Sequence, residues 1–101
     1  MVLNLKLKIL WHEKFLGLAI LQNNKKTSIP FTTYYFWPKT AAWEQLKLDL
    51  DSKFWLPTEE KIKVLNAAAG IMNYWKKNRK SKDLEGFFKN FDDLIVWNLV
   101  T

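Results

Sequence analysis

Between Leu3 and Trp11 apolar side chains fall at positions 3, 5, 7, 9 and 11, with Asn4, Lys6 and Lys8 between them. A period of two puts the apolar set on one face of a strand and the lysines on the other. His12-Glu13-Lys14 reads as a tight connection, and Leu16 to Leu21 is an apolar run of strand length, so the two segments predict a hairpin. Gly17 marks either a bulge or a close backbone approach. Gln22 to Ser28 is a polar loop with Asn23-Asn24-Lys25-Lys26 at its tip. Pro30 precedes a third strand, Thr32 to Trp37, which Pro38 ends.

After Pro38 the period changes. Thr40 is placed to cap a helix in which Trp43, Leu46 and Leu50 share one face while Glu44, Lys47 and Asp51 point outward, ending near Ser52. The turn from Lys53 to Pro57 brings Phe54, Trp55 and Leu56 back toward the core. Thr58 opens a longer helix with Glu59 and Glu60 in its first turn and Lys76, Lys77 and Arg79 in its last, an order that complements the macrodipole. Its expected stripe is Ile62, Leu65, Ala69, Met72 and Trp75, and Ala67 to Gly70 are small enough for close packing. Asp83 is placed to cap a short amphipathic piece carrying Leu84, Phe87, Phe88 and Phe91. The apolar tail from Leu94 to Val100 is either a fourth strand or a segment that orders on a partner. Strands followed by helices predict an α+β domain spanning residues 1–101: a small antiparallel sheet, hairpin plus third strand, packed against two to three helices.

Composition adds a surplus of rings. With 101 residues the chain must build its core from bulky side chains, and it has 6 Trp, 3 Tyr and 7 Phe to do so. That is more than one small core holds, so some rings stay at the surface, to anchor a protein or stack on unpaired bases. Trp43, Trp55 and Trp75 are expected in the core. Tyr34 and Tyr35 alternate along a strand, so one of them faces outward.

The net charge of +6 is uneven. Residues 1–57 hold eight cations and four acids, 58–82 seven and two, and 83–101 one and four. The run Trp75 to Lys82 has five cations and no acid. One reading is a solvated helix end that complements the dipole. The other is a phosphate-contacting arm of Lys76, Lys77, Arg79, Lys80 and Lys82, joined by Lys6, Lys8, Lys25 and Lys26 where the strand face and loop lie nearby. All cations but Arg79 are lysines, point charges suited to backbone contact rather than base reading. The same lysine, asparagine, isoleucine and phenylalanine bias fits an AT-rich, organelle-type genome.

Catalytic and metal chemistry find no foothold. There is no Cys, and His12 is the only imidazole, so a zinc site of the usual ligands and a thiol nucleophile are excluded and His12 is expected in a turn. Glu59-Glu60 and Asp92-Asp93 are sequence neighbours that do not face each other on a helix or strand. Three glycines, at 17, 70 and 86, make no phosphate-cradling loop. The expectation is a protein that is not an enzyme, with no metal, no cofactor and no small-molecule substrate. The longest apolar run, Phe15 to Leu21, is too short to cross a bilayer, Lys6 and Lys8 interrupt any signal core, and no Ser/Arg-rich transit segment is visible, so no membrane association is expected.

Several blocks occur together: Glu13-Lys14 before Gly17, Tyr35-Phe36-Trp37-Pro38, Ala42-Trp43-Glu44-Gln45-Leu46-Lys47, Ser52-Lys53-Phe54-Trp55, Leu65-Asn66 and Asn73-Tyr74-Trp75. In this arrangement the chain resembles the third plastid-specific small-subunit ribosomal protein family, found in plastids and cyanobacteria, over about residues 9 to 76, the family core; residues 77–101, the basic run and aromatic acidic tail, carry no matching block. The resemblance implies a structural constituent of the small subunit of the chloroplast ribosome, bound to small-subunit ribosomal RNA and neighbouring ribosomal proteins. It also implies a stromal location, to which the composition adds the expectation of encoding in the organelle. The competing reading is a non-ribosomal protein-interaction adaptor using exposed aromatics.

Overall fold

The computed structural model describes residues 4–23, 28–81 and 83–100. Two long strands, β1 (Asn4–Trp11) and β2 (Leu16–Asn23), pair antiparallel without a bulge, Trp11 opposite Leu16 and Leu5 opposite Gln22. The alternation reads as expected: Leu5, Leu7, Ile9 and Trp11 are buried under the helices, while Lys6, Lys8 and Leu10 lie on the other face. Gly17 is a close approach rather than a bulge. A Cβ there would sit 2.9 Å from Cε1 of Phe36 and 3.1 Å from Cβ of Leu10.

Of the expected third strand, Thr32 to Trp37, only β4 (Tyr35–Trp37) is strand, and a further short strand, β3 (Ser28–Pro30), forms ahead of it where the sequence predicts the end of a loop and Pro30; the two lie end to end along the free edge of β2. The break has a local cause. The Ile20 N–H donates to the Thr32 hydroxyl at 3.0 Å, and the Ile20 carbonyl accepts from the N–H groups of both Phe31 (2.8 Å) and Thr32 (3.2 Å), so the chain turns at the rung where a ladder would continue.

The tail completes the sheet. Strand β5 (Ile95–Leu99) pairs with β1, Leu7 opposite Ile95 and Trp11 opposite Leu99, and it runs parallel to it, so the sheet is mixed rather than wholly antiparallel. Of the two fates open to this segment, strand in the fold is the one realised. The α+β class stands, with five strands in the order β3-β2-β1-β5 and β4 beside β3 on β2.

Helices α1 (Ala42–Asp51), α2 (Thr58–Asn78) and the single turn α3 (Glu85–Phe88), continued by a 3-10 segment Lys89–Leu94, cover one face of the sheet. The expected caps are not used. Thr40 donates its hydroxyl to the Phe36 carbonyl, closing the turn after β4, and Ala41 holds the cap position of α1. Pro57 precedes α2 and Leu84 precedes α3, so neither Thr58 nor Asp83 caps a helix. The buried stripe of α2 is also rotated from the expected one. Val64, Ala68, Ile71 and Trp75 face the sheet, Leu65 and Ala67 flank them, and Ile62 is exposed. Position 64 shares a face with 68, 71 and 75 by helical spacing, which leaves 62 outside it.

Aromatic side chains tie the layers together by direct hydrogen bonds. Trp43 on α1 donates its indole N–H to the Leu65 carbonyl on α2 at 3.0 Å, and Tyr35 on β4 donates to Asp49 on α1 at 2.5 Å. That bond, with partial burial and the Asp49 charge, raises the Tyr35 phenol above its ordinary value. Trp75 is in the core and Trp43 half-buried, but Trp55 is not in the core: it is 56% exposed, with Phe54 at 88% and only Leu56 of that turn buried. The α1–α2 connection is too short to fold all three apolar residues under the helices, and Leu56 takes the one inward position.

Candidate functional site

The cations of the α2 end acquire their geometry from two tryptophans that exchange donors. Trp75, on α2, donates its indole N–H to the His12 carbonyl at the end of β1, at 2.8 Å. Trp11, the last residue of β1, donates its own to the Arg79 carbonyl just past α2, at 3.3 Å. Carbonyls at a helix C-terminus have no partner within the helix, so the second bond satisfies one of them while fixing where the helix stops. The turn beyond β1 is held separately, with the Lys14 N–H donating to Nδ1 of His12 at 3.0 Å and the imidazole stacked on Phe15, centroids 4.6 Å apart. His12 is thus a turn residue, as its isolation in the sequence implies.

Between that turn and the helix end lies a groove of about 700 Å³ lined by Glu13, Lys14, Lys76, Lys77, Asn78, Arg79, Lys80 and Ser81. Five cations face one carboxylate there. Two of the cationic heads rest on rings, Lys76 at 5.5 Å over Trp37 and Arg79 at 5.1 Å over Trp75, which restricts their motion at little desolvation cost. A smaller recess of about 350 Å³ extends the groove past Trp11 toward Leu99 and Val100. Positive charge on a fixed frame suits an extended anion.

The cations expected from the sequence do not all meet here. Lys76, Lys77, Arg79 and Lys80 do. Lys6 and Lys8 are on the sheet face away from the helices, Lys8 at 5.5 Å over the ring of Tyr34, so they form no part of the groove. Lys25, Lys26 and Lys82 lie outside the described residues. Lys14 belongs to the groove although sequence reasoning misses it, because only the folded hairpin brings its turn to the helix end. Its sequence signal is weak: one lysine in a connection.

The aromatic blocks gather in two places. Trp37 packs edge-on to Trp75 at 5.2 Å, and with Trp43, Ala69, Met72, Asn73 and Lys76 it borders a cleft of about 170 Å³. Tyr74 stacks on Phe87 at 3.8 Å and so docks α3 on α2. Phe36 and Pro38 turn the other way, toward a dish of about 630 Å³ lined also by Lys14, Phe15 and Lys39. Among the described residues no group of three or more His, Cys, Asp or Glu side chains is placed to hold a metal ion, and no helix is long and apolar enough to cross a membrane.

Comparison with known proteins places these blocks in a family. Residues 31–78 match the model of a family described as plastid and cyanobacterial ribosomal protein (PSRP-3 / Ycf65). The chain is 39% identical over 90 residues to the probable small ribosomal subunit protein cS23 of Synechococcus sp. (strain JA-3-3Ab), a match spanning 89% of this chain and 91% of the relative. The small ribosomal subunit protein cS23 of Cyanidium caldarium is 40% identical over 92 residues, with the same two shares of 89% and 91%. That of Hordeum vulgare is 42% identical over 74 residues, 72% of this chain and 41% of the relative. With such identity to the Synechococcus and Cyanidium proteins over most of both chains, and with the Tyr35–Pro38, Trp43 and Asn73–Trp75 blocks inside the matched region, the chain belongs to the plastid and cyanobacterial ribosomal protein (PSRP-3 / Ycf65) family.

Proposed function

We propose that this chain is a structural constituent of the small subunit of the plastid ribosome, contacting ribosomal RNA phosphates through the groove of Lys14, Lys76, Lys77, Arg79 and Lys80 and contacting neighbouring ribosomal proteins through exposed rings. Family membership supports the ribosomal role, and the names of the relatives support the small subunit. The observation that carries the RNA contact is five cations on a frame braced by two reciprocal indole bonds. A structural, non-enzymatic role is what membership of a ribosomal protein family supports. The lysine-rich composition favours a plastid over a cyanobacterial cell and an organelle-encoded chain working in the stroma. For a protein neighbour, Phe54 and Trp55 supply an edge-on pair 5.5 Å apart, mostly in solvent, of the kind that anchors interfaces.

The test is the salt dependence of binding to small-subunit RNA. Replacing Lys76, Lys77, Arg79 and Lys80 by Gln should weaken binding and flatten the slope of log K against log salt by ~0.7–0.9 for each phosphate no longer neutralised. Equal replacements at Lys61 and Lys63, on the opposite end of α2, should leave it unchanged. An unaltered slope in the groove variant refutes the assignment.

A further inference from the structure

We propose that the dish beside the basic groove, formed by Phe15, Phe36 and Pro38 and rimmed by Lys14 and Lys39, takes one unpaired nucleobase of the RNA whose phosphates occupy the groove. The proposal rests on the RNA reading above and adds to it a site, a mode of contact and a lack of base preference.

The dish and the groove are one surface. Lys14 lines both, so a strand leaving the groove passes directly over the rings. The rings are also fixed. Phe36 lies on Gly17, where the absence of a Cβ lets it seat against the strand, and Phe15 meets it edge-on at 5.5 Å and 84°. His12 stacks on Phe15 and Tyr34 on Phe36, so each ring is held by a second one. A stacking platform that is already ordered loses little entropy when it binds.

The charge favours nucleic acid over protein. Two lysines rim the dish, no carboxylate among the described residues lines it, and the groove beyond it adds Lys76, Lys77, Arg79 and Lys80. A π-face flanked by cations that track a backbone is how single strands are held without sequence reading. The lining offers no amide or hydroxyl side chain to read a base edge, so any base should stack. Phe36 is 39% exposed, so part of its ring is accessible to a ligand.

The experiment uses the full chain and two probes: a short single-stranded ribonucleotide bearing one 2-aminopurine, and an RNA duplex of the same length. Binding of the single strand should quench the 2-aminopurine, and changing the flanking bases should alter affinity little. Phe36→Leu keeps apolar bulk over Gly17 and removes the ring. It should lower single-strand affinity by about 5- to 150-fold, the fold-change of losing one base stack, abolish the quenching, and leave duplex affinity unchanged. Lys39→Gln, at an exposed position, guards against a folding defect in the first variant and should weaken single-strand binding while reducing its salt slope by ~0.7. Intact RNA binding and salt slope without quenching would overturn the base site and leave the phosphate groove standing. Failure to bind either RNA in dilute buffer would overturn both readings. If Phe36→Leu reduced association with ribosomal particles but not affinity for the single strand, the dish would be a protein-docking surface and the proposal would fall.

Discussion

Trp75 and Trp55 look alike in the sequence, each directly preceded by another ring, yet the structure gives them opposite weights. Replacing Trp75 by Phe removes the indole N–H from the His12 carbonyl, a bond of 2.8 Å, at a cost of ~0.5–1.5 kcal/mol. The smaller ring leaves about 30–40 Å³ unfilled at a position only 2% exposed, and at ~24 cal/mol per Å³ this costs about 1 kcal/mol. The burial forfeited by the missing ring atoms adds about 1 kcal/mol. The total is about 2.5–3.5 kcal/mol, or a fall in Tm of about 10–25 °C for a domain of this size. Trp55→Phe, at a residue 56% exposed and hydrogen-bonded to nothing among the described residues, should change stability by less than ~0.5 kcal/mol. Urea unfolding followed by far-UV circular dichroism measures both without depending on tryptophan fluorescence, which each substitution alters. Equal losses in the two variants, or a loss below about 1 kcal/mol at Trp75, would refute the claim that the α2 end is fastened to β1 by this side chain.

Gly17→Ala should destabilise by ~1 kcal/mol, because the new Cβ would meet the Phe36 ring at 2.9 Å and Leu10 at 3.1 Å. In a Phe36→Ala background the penalty should shrink, and a double-mutant cycle with no coupling would contradict the seating of that ring on the strand. Tyr35→Phe should cost about 1 kcal/mol through loss of the hydrogen bond to Asp49, discounted for partial exposure. The folded phenol holds its proton more tightly than the unfolded one, so its contribution is complete below pH ~10 and is lost as pH rises through the higher folded value. Spectrophotometric titration should therefore show one tyrosine ionising late in the wild type and that component missing in Tyr35→Phe; identical alkaline titrations, scaled for two tyrosines, would contradict the bond.

The hairpin is legible in the sequence because the period-two alternation of β1, the apolar run of β2 and the polar turn between them are all local signals. The expected third strand begins too early, at Thr32, and β3 is missed, because the Thr32 hydroxyl takes the Ile20 N–H where a ladder would run, an interaction that composition does not announce. The parallel pairing of β5 with β1 is hidden for another reason. Ile95, Trp97 and Leu99 show the alternation of a half-buried strand, but a short apolar run does not name its partner or its direction. At the site, Lys76, Lys77, Arg79 and Lys80 are visible as a run, whereas Lys14, Lys39 and Phe15 are not. Lys14 meets the helix end through bonds between residues 63 and 68 positions apart in the chain, and Phe15 and Lys39 meet through the pairing of β4 with β2.

Those two bonds also explain why a lysine-rich helix end can be a site rather than a frayed terminus. Like charges crowded into the last turn repel, and an unfastened end would relieve that repulsion by unwinding. Here the end cannot unwind without breaking the Trp75 donation to His12 and the Trp11 donation to Arg79, and both indoles are buried in the main core. The core therefore holds the cations at a separation that an unconstrained helix end would not keep. The repulsion is partly offset by Trp37 and Trp75, whose ring faces lie under Lys76 and Arg79. If RNA phosphates occupy the groove as proposed, binding should also raise folding stability, because a partner that binds only the folded end adds to it by mass action.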